Sequence, residues 1–250
     1  MVGQPHSARR HSPSTRGRHL LRRRAAADLV VASGVDPSHV VVEWGAGTGV
    51  LTAALAARAR CVEAVELDPS MAQRLRDRFA GDGHVTVVCG DAVDARLPLE
   101  PFRVVANIPF HLTSRLLRRL LDDPSVPLLR ADLVVQWGAA RKRTRTNLSS
   151  LRWAPWFDVR VTRRLDRLEF RPPPAVDAAV LVATRRREPL VEDHAAWVRM
   201  LERAYARADR PPRPAGELHR AKIDPRARTI DLELDDWLRL FTQARAADRR

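Results

Sequence analysis

Beyond residue 39 the chain alternates short, unbroken apolar runs with longer stretches whose apolar residues return every three or four positions. The runs read as buried strands, and the longer stretches as helices packed by one face. In order, the pattern predicts strand 40–44, helix 50–58, strand 61–67, helix 69–79, strand 85–89, strand 103–107, helix 111–121 and strand 132–136. Strands 158–165 and 178–184 follow, joined by a loop holding Pro172, Pro173 and Pro174. Apolar strands separated by helices predict an α/β fold whose mostly parallel sheet of seven strands is covered on both faces. An earlier helical pattern runs from 18 to 33 and is ended by Gly34. Residues 1–17 are polar and basic, with Pro5, Pro13 and Gly17, and read as a flexible arm. The strand signal stops after Arg187. Residues 194–208 and 235–247 are helical in pattern around the breaker-rich 210–216, so 18–187 is predicted to be the sheet domain and 188–250 a small all-α domain.

Open α/β sheets hold their ligands at the carboxyl ends of the strands, and four strand ends here carry distinctive residues. The first is the turn Glu43-Trp44-Gly45-Ala46-Gly47-Thr48-Gly49, where glycines let the backbone approach a ligand closely. A dinucleotide fingerprint needs a third glycine where Val50 stands, so this turn departs from a pyrophosphate cradle and suits a cofactor with a methionine moiety. Glu66 ends the next strand, 21 residues after Gly45, at the offset where an acid takes both ribose hydroxyls; Asp68 is an equally acidic competitor. Asp91, in Cys89-Gly90-Asp91-Ala92, either accepts from a cofactor's adenine amine or caps the next turn.

The fourth strand end is Asn107-Ile108-Pro109-Phe110. An exocyclic adenine amine is a poor nucleophile because its lone pair is delocalised into the ring, so an enzyme must hold it with acceptors. The Asn107 side-chain oxygen and a carbonyl freed by Pro109 supply two acceptors, and Phe110 supplies a ring for stacking. The alternative is a plain strand-to-helix turn with proline at the first helical position.

Charge narrows the partner. With 250 residues, 44 Lys+Arg and 30 Asp+Glu, the formal net charge is +14, which points to a polyanion. The densest cluster, Arg141-Lys142-Arg143-Thr144-Arg145, is read together with the arginine arm and Arg22 to Arg24 as an RNA-facing surface. Cys61 and Cys89 fall in predicted strands and read as small core residues of a reducing compartment. No apolar leader, membrane-length stretch or zinc-type histidine spacing is present, so the chain is expected to be cytoplasmic, without membrane attachment and without a metal.

In order, these motifs resemble those of S-adenosylmethionine-dependent adenine N6-methyltransferases, specifically the Erm family of 23S ribosomal RNA methyltransferases. The likeness extends to Phe170-Arg171-Pro172-Pro173-Pro174-Ala175-Val176-Asp177, similar to the family's aromatic and proline loop, and to the segments 136–142 and 230–241. It implies a Rossmann-like class I methyltransferase fold, S-adenosyl-L-methionine as cofactor, and a monomer acting on 23S rRNA before ribosome assembly, with macrolide resistance as the outcome. It also implies roles for residues: His19, Leu21, Gly45, Gly47, Glu66, Asp91, Ala92 and Asn107 toward the cofactor; Asn107, Ile108 and Phe110 in catalysis; Phe110 and Phe170 stacking on the base; Arg141, Lys142, Arg143 and Arg145 on RNA. One departure stands out, because the family usually opens with Gln-Asn-Phe-Leu or Gln-His-Phe-Leu and this chain has Arg18-His19-Leu20-Leu21. The alternatives are a small-subunit rRNA adenine dimethyltransferase, which more often has Leu where Ile108 stands, and a non-catalytic RNA-binding protein on the same fold.

Overall fold

The computed structural model describes residues 19–248; the basic arm 1–17 and Arg18 lie outside the described residues. The chain folds as β1 (Leu20–Leu21), α1 (Arg23–Ser33), β2 (Val40–Trp44), α2 (Val50–Ala56), β3 (Cys61–Glu66), α3 (Pro69–Arg78), β4 (Val85–Cys89), β5 (Phe102–Asn107), α4 (Thr113–Leu121) and β6 (Leu128–Gln136). Then come α5 (Trp137–Arg143), α6 (Leu148–Trp153), β7 (Phe157–Leu165), β8 (Phe170–Arg171), β9 (Ala178–Arg185), α7 (His194–Tyr205), α8 (Ala215–Arg220) and α9 (Leu234–Asp248).

The main sheet has seven strands in the order β4-β3-β2-β5-β6-β9-β7. Pairs from β4 to β6 are parallel, and β9 runs antiparallel to both β6 and β7. Successive side chains of a strand point to opposite faces, and here both faces are apolar. Val40, Val42, Trp44, Val104, Ala106, Leu133 and Val135 enter one buried cluster, while Val41, Val105 and Val134 enter the other. On α4, Leu116, Leu117, Leu120 and Leu121 are each at most 2 % exposed, a stripe worth roughly 2 kcal/mol per side chain in burial. The first cluster continues past the sheet into the C-terminal helices through Trp197, Leu201, Leu218, Trp237 and Leu240. The Trp197 indole nitrogen donates to the Leu151 carbonyl oxygen at 2.9 Å, fastening α7 to α6.

Strand order reverses around β2, whose neighbours are β3 on one side and β5 on the other. Connections therefore leave β2 and β5 in opposite directions and open a crevice at their carboxyl ends. The Gly-rich turn and Asn107 meet there.

Three expectations change. The helix predicted from residue 18 begins only at Arg23, because Leu20–Leu21 are drawn into a short antiparallel ladder with Phe170–Arg171. Arg22 continues this clasp, its backbone nitrogen donating to the Glu169 carbonyl at 2.8 Å and its Nε to that of Leu168 at 2.9 Å. Cys61 is half-buried and packs against the core, whereas Cys89 is exposed, because it lies on β4, an edge strand with one side unpaired. Finally, α5, α6 and α8 arise where the apolar pattern gave no helix, being too short for a periodicity to show.

Candidate active site

At the crevice lies a cavity of about 390 Å³, within the usual range for a small-molecule site. The Gly-rich turn forms one wall. Gly45 and Gly47 have φ of +72° and +58°, and a Cβ at Gly47 would meet Leu20 at 2.8 Å, so both conformation and space favour glycine. The Gly47 nitrogen donates to Glu66 Oε2 at 2.8 Å, and the Asp68 nitrogen to Glu66 Oε1 at 2.9 Å. Glu66 is thus held at the cavity by two backbone donors, and a carboxylate keeps further lone pairs for ligand hydroxyls. Asp68 does not compete: its carboxylate is the N-cap of α3, accepting from the nitrogens of Ser70 and Met71.

Asp91 turns out to cap a turn as well as to line the cavity. Its Oδ1 accepts from the Val93 nitrogen at 2.8 Å, which leaves Oδ2 for a ligand. Arg119 donates to the carbonyls of Ala92, Val93 and Ala95, so α4 clamps the turn that presents Asp91 and Ala92.

From β5, Asn107 projects to the same place. Its Nδ2 donates to the His19 carbonyl oxygen at 2.6 Å, so its Oδ1 is the atom left to accept from a ligand. The Ile108 side chain is 2 % exposed and belongs to the core. Its part in any chemistry is therefore the backbone carbonyl, which has no hydrogen bond among the described residues. The half-buried Phe110 ring borders the cavity and stacks at 6.3 Å and 30° on the His19 imidazole.

The N-terminal strap covers this site. His19 Nδ1 lies 3.0 Å from the Pro172 carbonyl oxygen, and His19 and Leu20 line the cavity. Leu21 does not, because strand alternation turns it into the apolar cluster behind, where it is 6 % exposed. Phe170 also departs from expectation. It is fully buried in that cluster beside Leu21, leaving no ring face for a base, and it serves to pin the strap. Apolar lining residues without a motif signal, Val65, Leu67 and Leu112, become apparent only in the fold.

Among the described residues no Lys or Arg lines the cavity, two carboxylates do, and the amide of Gly47 that a phosphate would need is already given to Glu66. Such a lining suits a nucleoside with hydroxyls, an amine and positive charge better than it suits a pyrophosphate. Beneath it, Glu43 is 2 % exposed and its Oε2 has no partner among the described residues. Burial pushes this carboxyl up to about 8, Thr52 draws it partly back, and the charge of Glu66 adds to the rise.

The predicted basic surface splits. Arg141, Lys142 and Arg145 are exposed. Arg143 instead donates to Ser114 Oγ on α4 and lies over the Trp153 ring at 5.9 Å; burial, then Arg118, lowers its pKa. It is a tie between α4 and α5, a correction to its reading as a phosphate contact. Through that tie, the outward Arg115 and Arg118 of α4 adjoin the exposed cations of α5. Arg141 and Arg164 lie over the Trp137 ring at 6.0 and 5.3 Å. Among the described residues, no helix is long and apolar enough to cross a membrane.

The chain matches the family described as ribosomal RNA adenine dimethylase over residues 17–241. It is 34% identical to the mycinamicin-resistance protein MyrB of Micromonospora griseorubida, over 96% of this chain and 83% of that one. An rRNA adenine N-6-methyltransferase of Bacillus licheniformis is 32% identical over 74% of this chain and 67% of its own. Among solved structures, the 23S rRNA methyltransferase ErmE superposes with a TM-score of 0.78 at 32% identity, covering 90% of this chain and 98% of that one. A dimethyladenosine transferase from Plasmodium falciparum shares the fold, with a TM-score of 0.77 at 21% identity over 92% and 98%.

Proposed function

Since the chain belongs to the ribosomal RNA adenine dimethylase family and is a methyltransferase, we propose that it moves a methyl group from S-adenosylmethionine to N6 of an adenine in 23S rRNA, giving macrolide, lincosamide and streptogramin B resistance. It would act as a cytoplasmic monomer on RNA that is not yet assembled into ribosomes. The observation that carries this reading is the Asn107 amide, whose nitrogen is tied to His19 so that its oxygen is left at the mouth of an acid-lined nucleoside cavity.

Glu66 would hold the cofactor's ribose hydroxyls, Asp91 Oδ2 its adenine amine, and the Gly45–Gly47 turn with His19 and Leu20 its methionine end. When bound, the cofactor supplies an electrophilic methyl. The chain's part is positioning: Asn107 Oδ1 and the Ile108 carbonyl accept from the target amine and aim its lone pair, and the Phe110 ring steadies the purine. Orientation alone removes several kcal/mol of barrier, about 7 at least in well-aligned systems, so no strong base is required.

Mapping N6-methyladenine in both ribosomal RNAs of a host with and without the gene tests the proposal. The expected result is one newly methylated 23S adenine together with resistance. Modification confined to small-subunit RNA would assign the alternative enzyme, and none at all would leave an RNA-binding protein.

The basic face yields its own prediction. Replacing Arg141, Lys142 and Arg145 with alanine should reduce the dependence of log K on log salt by roughly 0.7 for each phosphate no longer neutralised on single-stranded RNA. Arg143→Ala should instead lower thermal stability and leave that slope nearly unchanged, because its guanidinium is committed to Ser114 and Trp153. Filter-binding titrations over a salt series, with melting curves on each variant, separate the two.

A further inference from the structure

The C-terminal helices form a second cavity, about 350 Å³, between α7, α9 and the segment 206–214. Four arginines line it: Arg199 and Arg203 on α7, Arg213 on the segment and Arg245 on α9. Among the described residues no carboxylate is in the lining. Two of the four are balanced from its rim, Arg245 by Asp193 at 2.8 Å and Arg213 by Glu217 at 3.7 Å. Arg199 and Arg203 are exposed and form no ion pair among the described residues, although Asp193, already paired with Arg245, lies within electrostatic reach of Arg199. Being four residues apart they sit one above the other on α7 and repel. Between them and α9 lie Met200 and the half-buried ring of Phe241, whose orientation is fixed by an edge-to-face contact with Trp197 at 5.5 Å.

Guanidinium forks match phosphate oxygens, and the cavity is larger than a phosphate, with an apolar wall beside the charges. Two cations without an ion pair suit singly charged phosphodiesters and fall short of the charge of a nucleoside triphosphate. We propose that this cavity receives one nucleotide unit of the RNA substrate, its phosphodiester on Arg199 and Arg203 and its ribose and base against Phe241 and Met200. The proposal rests on the reading of the protein as an rRNA methyltransferase, and it gives the C-terminal helices a part in holding RNA away from the reacting adenine.

The test compares the full-length parent with R199Q/R203Q, R199K/R203K and a control pair, R58Q/R74Q, whose arginines are exposed and line neither cavity. A 23S rRNA fragment that the parent methylates serves as the probe. The salt slope of R199Q/R203Q should fall by roughly 0.7, the value for one phosphate contact on single-stranded RNA, with S-adenosylmethionine affinity and melting temperature unchanged. R199K/R203K should recover most of the slope. A slope that is unchanged, or that falls equally in the control pair, overturns the cavity's role while methylation by the parent keeps the enzymatic reading intact. ATP raising the melting temperature of the parent but not of R199Q/R203Q, with equal RNA slopes, would likewise overturn it in favour of a free-nucleotide site.

Discussion

Replacing Asn107 with alanine is expected to slow methyl transfer by about a hundredfold or more, the usual cost of losing orientation at a reacting atom, while RNA affinity stays close to that of the parent. The reason is geometric. Asn107 Nδ2 spends its hydrogen bond on the His19 carbonyl, so the side chain leaves one oxygen at the cavity and has one nitrogen holding the strap. Alanine removes both, whereas RNA affinity rests mainly on phosphate contacts elsewhere. Asn107→Asp separates the roles: it keeps an acceptor but sets a second oxygen against the His19 carbonyl, so cofactor affinity should fall along with rate. Phe110→Ala should cost less, about 1–3 kcal/mol of stacking, and tyrosine or tryptophan should restore most of it. Single-turnover methylation measured beside RNA and cofactor binding distinguishes these outcomes; near-normal turnover in Asn107→Ala would reduce the stretch to a turn that fastens the strap.

The second large effect is on stability. Glu43 has its carboxyl raised from 4.5 to about 8 in the folded chain, chiefly by burial. Between those values the folded protein keeps a proton that the unfolded chain has released, so stability is lost as pH rises through this window, by about 3 kcal/mol at pH 7. Glu43→Gln cannot ionise and should abolish that slope. Its additional N–H donors enter a buried site and cost about 1–3 kcal/mol if unpaired. The variant should therefore be less stable than the parent near pH 4.5 and more stable near pH 8, a crossing that urea denaturation across pH would reveal. Curves that stay parallel would mean that Glu43 titrates as an ordinary carboxyl.

By itself the sequence determined the layered α/β architecture and the strand ends that matter. Unbroken apolar runs such as Val40–Val42 and Val104–Ala106 must be covered on two faces, and a turn with Gly45 and Gly47 must come close to something. Those are local consequences of side-chain periodicity and backbone freedom. What only the tertiary structure decided is how residues distant in sequence share one hydrogen-bonding inventory. Asp68 and Glu66 are equivalent acids along the chain, yet one is consumed by the helix it caps and the other is held in the cavity by Gly47. Phe170 reads as a ring for a base and is buried as the pin of the strap, Leu20 faces the cavity while Leu21 faces the core, and Arg143 is spent on Ser114. Periodicity says that a residue is apolar or charged; which partner satisfies it depends on contacts between segments separated along the chain, from 19 residues for Gly47 and Glu66 to 153 for His19 and Pro172, and those exist only once the chain has closed on itself.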